Sequence, residues 1–203
     1  MKNPTKKKCI DILNSINAVQ LSFKNEFEAK PGVFAPVYVD IKKALSSPCL
    51  RTELVNELVP TIPDHTTHIC GIESGGTYYA SQIADLRSLK LIFLRSKRKH
   101  YGVKSMFVGD APTKGSHIAF IDDVIATGAT LKKTLDLFPE TDASFSFHTI
   151  FSYDQHDYIA DKTGIPISTL LTFSDLNKQD HEAWSQVVEH VKGYRSVVDS
   201  NFA

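Results

Sequence analysis

The segment that decides the fold spans residues 117–131 and has the sequence HIAFIDDVIATGATL. Its apolar run at residues 118–121 is typical of a parallel strand that is covered on both faces. Asp122 and Asp123 stand at the carboxyl end of this predicted strand, a small-residue loop follows at 126–130, and a helical pattern starts at Leu131. Because open α/β sheets bind ligands outside the carboxyl ends of their strands, this segment predicts a ligand site.

The loop and the two acids of this segment favour different ligand groups. Backbone N–H groups in a small-residue loop that enters a helix favour an anion, here a phosphate. The neighbouring carboxylates would repel a phosphate and instead favour neutral hydroxyls or a metal ion. A ribose 5-phosphate meets both needs, with its phosphate in the loop and its 2- and 3-hydroxyls on Asp122 and Asp123. The alternative is an ordinary strand-end turn with solvated acids.

The composition is that of an ordinary globular protein, and we expect no nucleic acid as a partner. Of 203 residues, 42% are hydrophobic and 23% are charged, and 23 basic residues balance 23 acidic ones. Zero net charge argues against nucleic-acid binding, which usually needs a basic excess. No apolar run approaches membrane-spanning length and none follows the basic N-terminus, so we expect no membrane partner. Three cysteines without the spacing of a metal site favour a cytoplasmic location.

Alternating strands and helices beyond residue 65 predict an α/β fold, with a parallel sheet core that is flanked by helices. We expect this core to span about residues 60–175. Residues 1–58 and 176–203 fall outside the alternation and are expected to form a small cap over the strand ends. Because no linker-like composition separates these parts, we expect a single domain. Within it we expect a helix at 8–19, an edge strand at best at 33–39, and no regular structure at 95–115.

Two further segments carry groups that suit a polyanion. Glu73, Ser74, Gly75 and Gly76 follow a predicted strand, where glycines let the backbone approach a ligand closely. This loop suits a pyrophosphate, and the alternative is an ordinary β-to-α turn. The basic run RSKRKHYG at 95–102 is expected to be a lid that brings cations to the polyanion, and the alternative is a solvated basic loop.

Histidines and a second acidic group invite a metal or ligand interpretation as well. His65 and His68 lack a third metal ligand, so we interpret them as turn residues rather than as a metal pair. Asp154, His156 and Asp157 follow a predicted strand end and are expected on the ligand side of the sheet. The alternative is an acidic helix start that the helix dipole favours.

The central segment resembles the phosphoribosyl pyrophosphate (PRPP) motif of type I phosphoribosyltransferases. Nearly the whole chain resembles the orotate phosphoribosyltransferases. Residues 27–32, FEAKPG, and 35–40, APVYVD, are similar to a segment of that family's hood, whose lysine matches Lys30. Residues 95–102 are similar to its basic catalytic loop, with Arg95 and Lys99 at two basic positions, and VKGYR at 191–195 fits its last helix.

This resemblance implies a type I phosphoribosyltransferase-like core with a hood built from both chain ends. It implies an enzyme that moves the 5-phosphoribosyl group from PRPP to a nucleobase, orotate or an orotate-like pyrimidine, and releases pyrophosphate. Such an enzyme serves nucleotide biosynthesis or salvage. The resemblance also implies Mg²⁺, held mainly by PRPP with Asp122 and Asp123 as candidate protein ligands, and a homodimer with shared active sites.

The resemblance assigns candidate roles to residues of the loops, the acidic pair and the hood. The candidate catalytic residues are Lys99, Asp122 and Asp123, and Lys97 and Arg98 are further lid cations. The candidate PRPP ligands are Lys30, Glu73, Ser74, Gly75, Gly76, Arg95, Asp122, Asp123, Ala126, Thr127, Gly128, Ala129 and Thr130. The candidate base ligands are Lys30, Asp154 and Gln155.

Four positions depart from the family's pattern. Gly75 and Ser96 stand where the family has lysine, and Tyr101 stands at a histidine position. Gln155 replaces the arginine that holds the orotate carboxylate in the family. A carboxylate favours a charge-assisted partner, which glutamine does not supply. Two alternatives stay open, a phosphoribosyltransferase for a non-orotate base such as a purine, and a PRPP-binding regulatory protein without catalysis.

Overall fold

The computed structural model describes residues 4–21, 27–30, 33–35, 37–94, 107–110, 112–138, 142–176 and 184–203. In chain order its helices and strands are α1 (Pro4–Ser15), β1 (Val19–Leu21), β2 (Phe27–Lys30), β3 (Val33–Ala35), β4 (Val37–Val39), α2 (Pro48–Leu58), β5 (His68–Ile72), α3 (Thr77–Arg87), β6 (Lys90–Leu94), β7 (Phe107–Val108), β8 (His117–Ile125), α4 (Ala129–Leu135), β9 (Ser144–Ser152), α5 (His156–Thr163), β10 (Ile167–Thr172) and α6 (Trp184–Asn201). Short 3₁₀ helices span Ile41–Ser46, Val59–Thr61 and Phe173–Leu176.

A six-stranded sheet with the order β10-β9-β8-β5-β6-β7 forms the centre of the molecule. Neighbouring strands from β10 to β6 run parallel, whereas β7 pairs antiparallel with β6 at the edge. The chain moves from β5 outward to β6 and then returns to the other side of β5 for β8. This reversal of strand order opens a crevice at the carboxyl ends of β5 and β8, where α/β folds bind ligands. The predicted α/β fold with a parallel core is confirmed.

Helices cover both faces of the sheet, because successive side chains of each strand point to opposite sides. On one face, Ile121 of β8 belongs to a buried cluster that includes residues of α1, α2 and α3. On the other face, Phe120 of β8 packs in a cluster with Leu131 of α4 and Ile159 of α5. Each such fully buried side chain contributes about 1.5–3 kcal/mol, so the two clusters hold β8 firmly at the centre.

Both chain ends reach the segment that follows β9. The Val39 N–H of β4 donates a hydrogen bond of 3.2 Å to the Tyr153 hydroxyl. On the other chain end, the Gln155 side-chain amide lies 3.5 Å from the Val191 carbonyl of α6. The remainder of α6 then crosses to the opposite layer, where Val198 is fully buried. Among the described helices, none is long and apolar enough to cross a membrane.

Several sequence-based expectations for the first half of the chain were wrong in detail. The helix expected at 8–19 runs from Pro4 to Ser15, because Asn17 has φ +47°, which a right-handed helix cannot continue. The segment expected as one edge strand at 33–39 forms two short strands, and these pair in two separate two-stranded sheets. The segment expected to lack regular structure at 95–115 contains β7.

The central segment also differs from its prediction at both ends of the loop. Strand β8 continues through Ile125, so Asp122 and Asp123 lie inside the strand and not after it. The extension is possible because β9 keeps pairing with β8 as far as Ile125, whereas β5 stops pairing at Ile121. Helix α4 begins at Ala129, two residues before the predicted start.

Candidate active site

The two acids of β8 lie at the strand-order reversal and are buried. Asp122 exposes 7% of its surface and Asp123 exposes 9%, so the alternative of solvated acids is wrong. The backbone N–H of Asp123 donates to Asp122 Oδ1 at 2.9 Å, which fixes one carboxylate against the strand. Lys42 Nζ approaches Asp123 Oδ2 to 3.9 Å from the 3₁₀ helix that follows β4. A cation from the N-terminal segment therefore faces the acidic pair.

Burial gives the acidic pair an unusual affinity for protons. Burial raises the pKa of Asp122 well above its ordinary range, and the adjacent charge of Asp123 raises it further. The pair therefore binds a proton more readily than two solvated aspartates would. A carboxyl pair of this kind can accept and donate hydrogen bonds, which suits the vicinal hydroxyls of a sugar.

The glycine loop after β5 packs directly against the acids. A Cβ atom on Gly76 would lie 1.8 Å from the Ile121 carbonyl oxygen, and one on Gly75 would lie 2.1 Å from the Asp123 carboxyl carbon. Only glycine fits at such an approach without displacing its neighbours. Glu73 and Ser74 are exposed at the tip of the loop, and the peptide bond between them is cis. The predicted pyrophosphate loop and the acids therefore meet at one edge.

The predicted phosphate loop borders the other side of the acids. Its residues line a cavity of about 110 Å³ together with Asp122, Val124, Ile125, Leu131 and Phe147. Gly128 adopts the left-handed conformation with φ +72°, which favours glycine. From α6, Asn201 Nδ2 donates to the Thr127 carbonyl at 2.9 Å, and the Phe202 ring lies against Gly128. The loop therefore forms a small recess next to Asp122.

The candidate base residues after β9 make internal contacts. The Asp154 carboxylate accepts hydrogen bonds from the Ser174 N–H at 3.1 Å and from its hydroxyl at 2.7 Å. Gln155 exposes only 7% of its surface, and its Nε2 lies 3.3 Å from the Tyr153 carbonyl and 3.5 Å from that of Val191. Asp157 is exposed in the first turn of α5, as the helix-start alternative expects.

A second and larger cavity lies beside these residues, between the ends of β9 and β10 and helix α6. It measures about 290 Å³ and is lined by Asp154, Gln155, Phe173, Ser174, Val188, Val191 and Lys192. Lys192 brings a positive charge to this lining, and Glu189 of the same helix lies 3.3 Å from its ammonium group. The cavity therefore combines an apolar wall with amide and charged groups, as small-molecule sites do.

Some predicted site residues lie outside the described residues. These are Arg95, Ser96, Lys97, Arg98, Lys99 and Tyr101, so the lid stays a prediction. The backbone of Lys30 ends β2 and pairs with Val33, and its role stays a prediction as well. The interpretation of His68 as a turn residue was wrong, because His68 is buried at the start of β5. Within the described ranges, no group of three potential metal-ligating side chains occurs.

Sequence reasoning missed the contacts that distant residues make with the site. Lys42 lies in the segment IKKAL at 41–45, whose two adjacent lysines would suit any surface turn. Asn201 ends a helix whose apolar face predicts core packing only, and Phe202 follows it. No local signal marks these residues, because their roles depend on which elements the fold brings together.

Comparison with known proteins agrees with this geometry. Residues 50–190 match the phosphoribosyl transferase domain, and the chain therefore belongs to the phosphoribosyltransferase family of enzymes. The particular relatives are orotate phosphoribosyltransferases. That of Streptococcus mutans is 30% identical over 174 residues, covering 83% of this chain and 82% of its own. That of Cytophaga hutchinsonii is 30% identical over 185 residues, covering 87% of each chain.

Solved structures with the same fold include two kinds of phosphoribosyltransferase. Orotate phosphoribosyltransferase from Aeropyrum pernix superimposes with a TM-score of 0.67 at 20% identity, covering 84% of this chain and 96% of its own. Adenine phosphoribosyltransferase from Trypanosoma brucei, solved with AMP, pyrophosphate and ribose-5-phosphate, has a TM-score of 0.67 at 19% identity, covering 89% and 85% of the two chains. At these identities the likeness supports the fold alone.

Proposed function

We propose that this enzyme transfers the 5-phosphoribosyl group of PRPP to orotate, or to an orotate-like pyrimidine, and releases pyrophosphate. The observation that carries the proposal is the meeting of a buried acidic pair with two glycine-containing loops at the strand-order reversal. The orotate phosphoribosyltransferases to which the chain is similar over most of its length support orotate as the acceptor. The reaction would then serve pyrimidine nucleotide synthesis.

Each part of the site takes one part of PRPP. Backbone N–H groups of residues 126–130, with the hydroxyls of Thr127 and Thr130, bind the 5-phosphate. Asp122 and Asp123 bind the 2- and 3-hydroxyls of the ribose, which their burial and proximity favour. The loop at 73–76 binds the pyrophosphate. The ribose C1 then lies between leaving group and acceptor, because the three pieces surround one crevice.

The reaction exchanges one bond at C1 of the ribose for another. The bond from C1 to the pyrophosphate oxygen breaks, and its electron pair leaves with pyrophosphate. The base arrives with one ring nitrogen deprotonated, as an anion, so that no proton has to be removed, and this nitrogen uses its lone pair to form the new bond to C1. The transition state resembles an oxocarbenium ion, as in other glycosyl transfers. The negative charge that the acidic pair keeps beside the ribose stabilises this positive charge.

The acidic pair also fits a divalent cation. Carboxylate oxygens are the protein ligands that Mg²⁺ prefers, and Asp122 and Asp123 are adjacent buried carboxylates at the strand-order reversal. When bound, Mg²⁺ neutralises charge on the pyrophosphate leaving group. We propose that PRPP itself supplies most of the ligands, since no group of three potential metal-ligating side chains occurs among the described residues.

The basic segment at 95–102 is the proposed lid over the pyrophosphate. Lys99 and Arg95 would close over the leaving group and exclude water, with Lys97 and Arg98 as further cations. We predict that Lys99→Ala lowers kcat by about two to four orders of magnitude, as the loss of a transition-state contact does. Near-normal turnover of this variant would remove Lys99 from the mechanism.

A homodimer with shared sites is proposed together with this lid. In a mixed dimer of Lys99→Ala and Asp123→Asn subunits, one of the two sites contains both Lys99 and Asp123 if the lid reaches across the interface. Recovery of about half of the wild-type activity supports the shared site. Activity no higher than that of either parent variant contradicts it. We further propose that both chain ends form a hood over the site and that the enzyme is cytoplasmic, in keeping with its three free cysteines.

The cavity beside Gln155 is the proposed base site. Lys192 would supply the positive charge that Gln155 lacks and would bind the carboxylate of orotate. Lys192→Met should then raise KM for orotate while KM for PRPP stays unchanged. The uncharged amide of Gln155 favours the second candidate function, transfer to a base without a carboxylate. An unchanged KM for orotate in Lys192→Met, with turnover of a purine, would support that candidate.

The test of the reaction itself measures pyrophosphate release from PRPP with Mg²⁺ and orotate. Asp123→Asn should lower kcat/KM by about a hundredfold or more, because it removes charge next to the ribose. The matched control is Asp161→Asn, which changes an exposed aspartate of α5. Equal activity of both variants would exclude the acidic pair from the reaction. Orotate-dependent turnover by the wild type would exclude the alternative of a regulatory protein without catalysis.

A further inference from the structure

We propose that Asn201 and Phe202, at the carboxyl end of α6, are positioning residues that hold the phosphate loop in its ligand-binding shape. The proposal rests on the proposed function, because it assumes that residues 126–130 bind the 5-phosphate of PRPP. It extends the site to a helix end that lines neither of the two cavities described above. Four features of the loop and the helix support it.

The first feature is the orientation of one peptide plane. Asn201 Nδ2 donates to the Thr127 carbonyl oxygen at 2.9 Å, and this carbonyl therefore points toward α6. In a trans peptide the C=O and the following N–H point in opposite directions. The N–H of Gly128 is thus turned away from α6. The residues that line the loop cavity in the described chain include Gly128 but no residue of α6, so this donor is turned toward the ligand side.

The second feature is the packing behind Gly128. A Cβ atom on Gly128 would lie 2.8 Å and 3.1 Å from two carbon atoms of the Phe202 ring and 3.2 Å from Ile159 Cδ1. The ring therefore occupies the space that a side chain at 128 would need. Gly128 has φ +72°, a conformation that glycine reaches easily but also leaves easily. Phe202 blocks motion of the loop toward α6 and so limits that freedom.

The third feature is the anchoring of the helix end itself. Val198 is fully buried, and the Phe202 N–H donates to the Val198 carbonyl at 3.1 Å. The Tyr158 hydroxyl of α5 donates to Asp199, and Lys162 lies 3.0 Å from the same carboxylate. These contacts tie the last turns of α6 to α5. The carboxyl end of α6 is therefore held in place by packing against α5 and can restrain the loop.

The fourth feature is that the contacts concern one loop alone. Neither Asn201 nor Phe202 contacts the acidic pair or the loop at 73–76 in the hydrogen bonds and close approaches of the described residues. A change at either residue should therefore weaken recognition of the 5-phosphate and leave recognition of pyrophosphate unchanged. General loss of structure would weaken the binding of both ligands. The affinities of the two ligands therefore distinguish a positioning role from a merely structural one.

The experiment compares Asn201→Ala with the wild type and with Ser200→Ala, an exposed position of the same helix turn. Calorimetry measures Kd for ribose 5-phosphate and, separately, for pyrophosphate with Mg²⁺. We expect Asn201→Ala to raise Kd for ribose 5-phosphate about 3- to 10-fold, which is the effect of one lost hydrogen bond, and to leave Kd for pyrophosphate unchanged. KM for PRPP should rise by a similar factor while kcat stays near that of the wild type. Ser200→Ala should resemble the wild type.

Phe202 provides a second line of test in case a large truncation unfolds the helix end. Phe202→Leu keeps an apolar side chain behind Gly128 and should retain more ribose 5-phosphate affinity than Phe202→Ala. The proposal is overturned if Asn201→Ala binds ribose 5-phosphate like the wild type, or if both ligands weaken equally. Failure of the wild type to bind ribose 5-phosphate at all would instead contradict the proposed function as well.

Discussion

A buried histidine in the middle of strand β9 should make the protein sensitive to acid. His148 of β9 exposes 1% of its surface, its Nδ1 lies 3.0 Å from Thr61 Oγ1, and its Nε2 lies 2.8 Å from Ser146 Oγ. His117 Nε2 lies 3.0 Å from the same Ser146 hydroxyl. Burial, and to a smaller extent the neighbouring His117, lowers the pKa of His148 from 6.5 to about 4.

This lowered pKa sets the sign and size of the effect on stability. The unfolded chain binds the proton at an ordinary pKa near 6.5, whereas the folded protein resists it until about 4. The contribution of neutral His148 is therefore complete above the unfolded pKa and is lost as the pH falls. Linkage gives a loss of about 2 kcal/mol between about pH 7 and pH 5, and about 3 kcal/mol by about pH 4. His117 has a lowered pKa too, because of burial and His65, and it acts in the same direction.

The assay is urea unfolding at a series of pH values for the wild type and for His148→Gln. Glutamine keeps hydrogen-bonding groups near Thr61 and Ser146 but does not titrate. We expect the free energy of unfolding of the wild type to fall about 2 kcal/mol more than that of the variant between about pH 7 and pH 5. His117 remains in both proteins, so the part of its contribution that does not depend on His148 cancels in the comparison. Parallel curves, within about 0.5 kcal/mol, would refute the reasoning.

Two further predictions follow from close approaches and from burial. Gly76→Ala should lower the free energy of unfolding by about 1–3 kcal/mol and abolish turnover, because its Cβ would lie 1.8 Å from the Ile121 carbonyl oxygen. The control Gly193→Ala adds a Cβ in a helix where it meets nothing within 4 Å, and it should raise the free energy of unfolding by up to about 1 kcal/mol. Urea unfolding measures both changes. Iodoacetamide should modify exposed Cys49 in the folded protein and should reach the buried Cys9 and Cys70 only in denaturant. Burial also raises the pKa of the Cys9 thiol to about 12 and raises that of the Cys70 thiol further, which disfavours the reactive thiolate. Mass spectrometry that finds Cys9 modified at the rate of Cys49 would contradict this prediction.

The features that the sequence predicted are those whose signals are local. The apolar run of β8, the small-residue loop after it and the glycines after β5 are each patterns of only a few consecutive residues, and each pattern suffices to suggest its conformation. The start of α2 depends on an equally local feature, because Pro48 suits the first helical position and α2 begins there. The sequence alone therefore predicts the acidic pair and both loops.

The features that the sequence did not predict depend on pairing and contact between distant segments. Strand β8 contains Asp122 and Asp123 only because β9 continues to pair beyond the point where β5 stops. Strand β7 has two residues, too few for a periodic pattern. The approach of Lys42 to Asp123 and that of Asn201 to Thr127 depend on how the chain ends pack on the core.

The most direct measurement of the central claim is pyrophosphate release from PRPP and Mg²⁺ with a panel of bases: orotate, uracil, adenine, guanine, hypoxanthine and xanthine. We predict turnover with orotate at ordinary enzyme rates and none when the base is omitted. Turnover of a purine in place of orotate would contradict the pyrimidine acceptor and assign the cavity beside Gln155 to another base. Tight PRPP binding without release on any base would contradict catalysis itself.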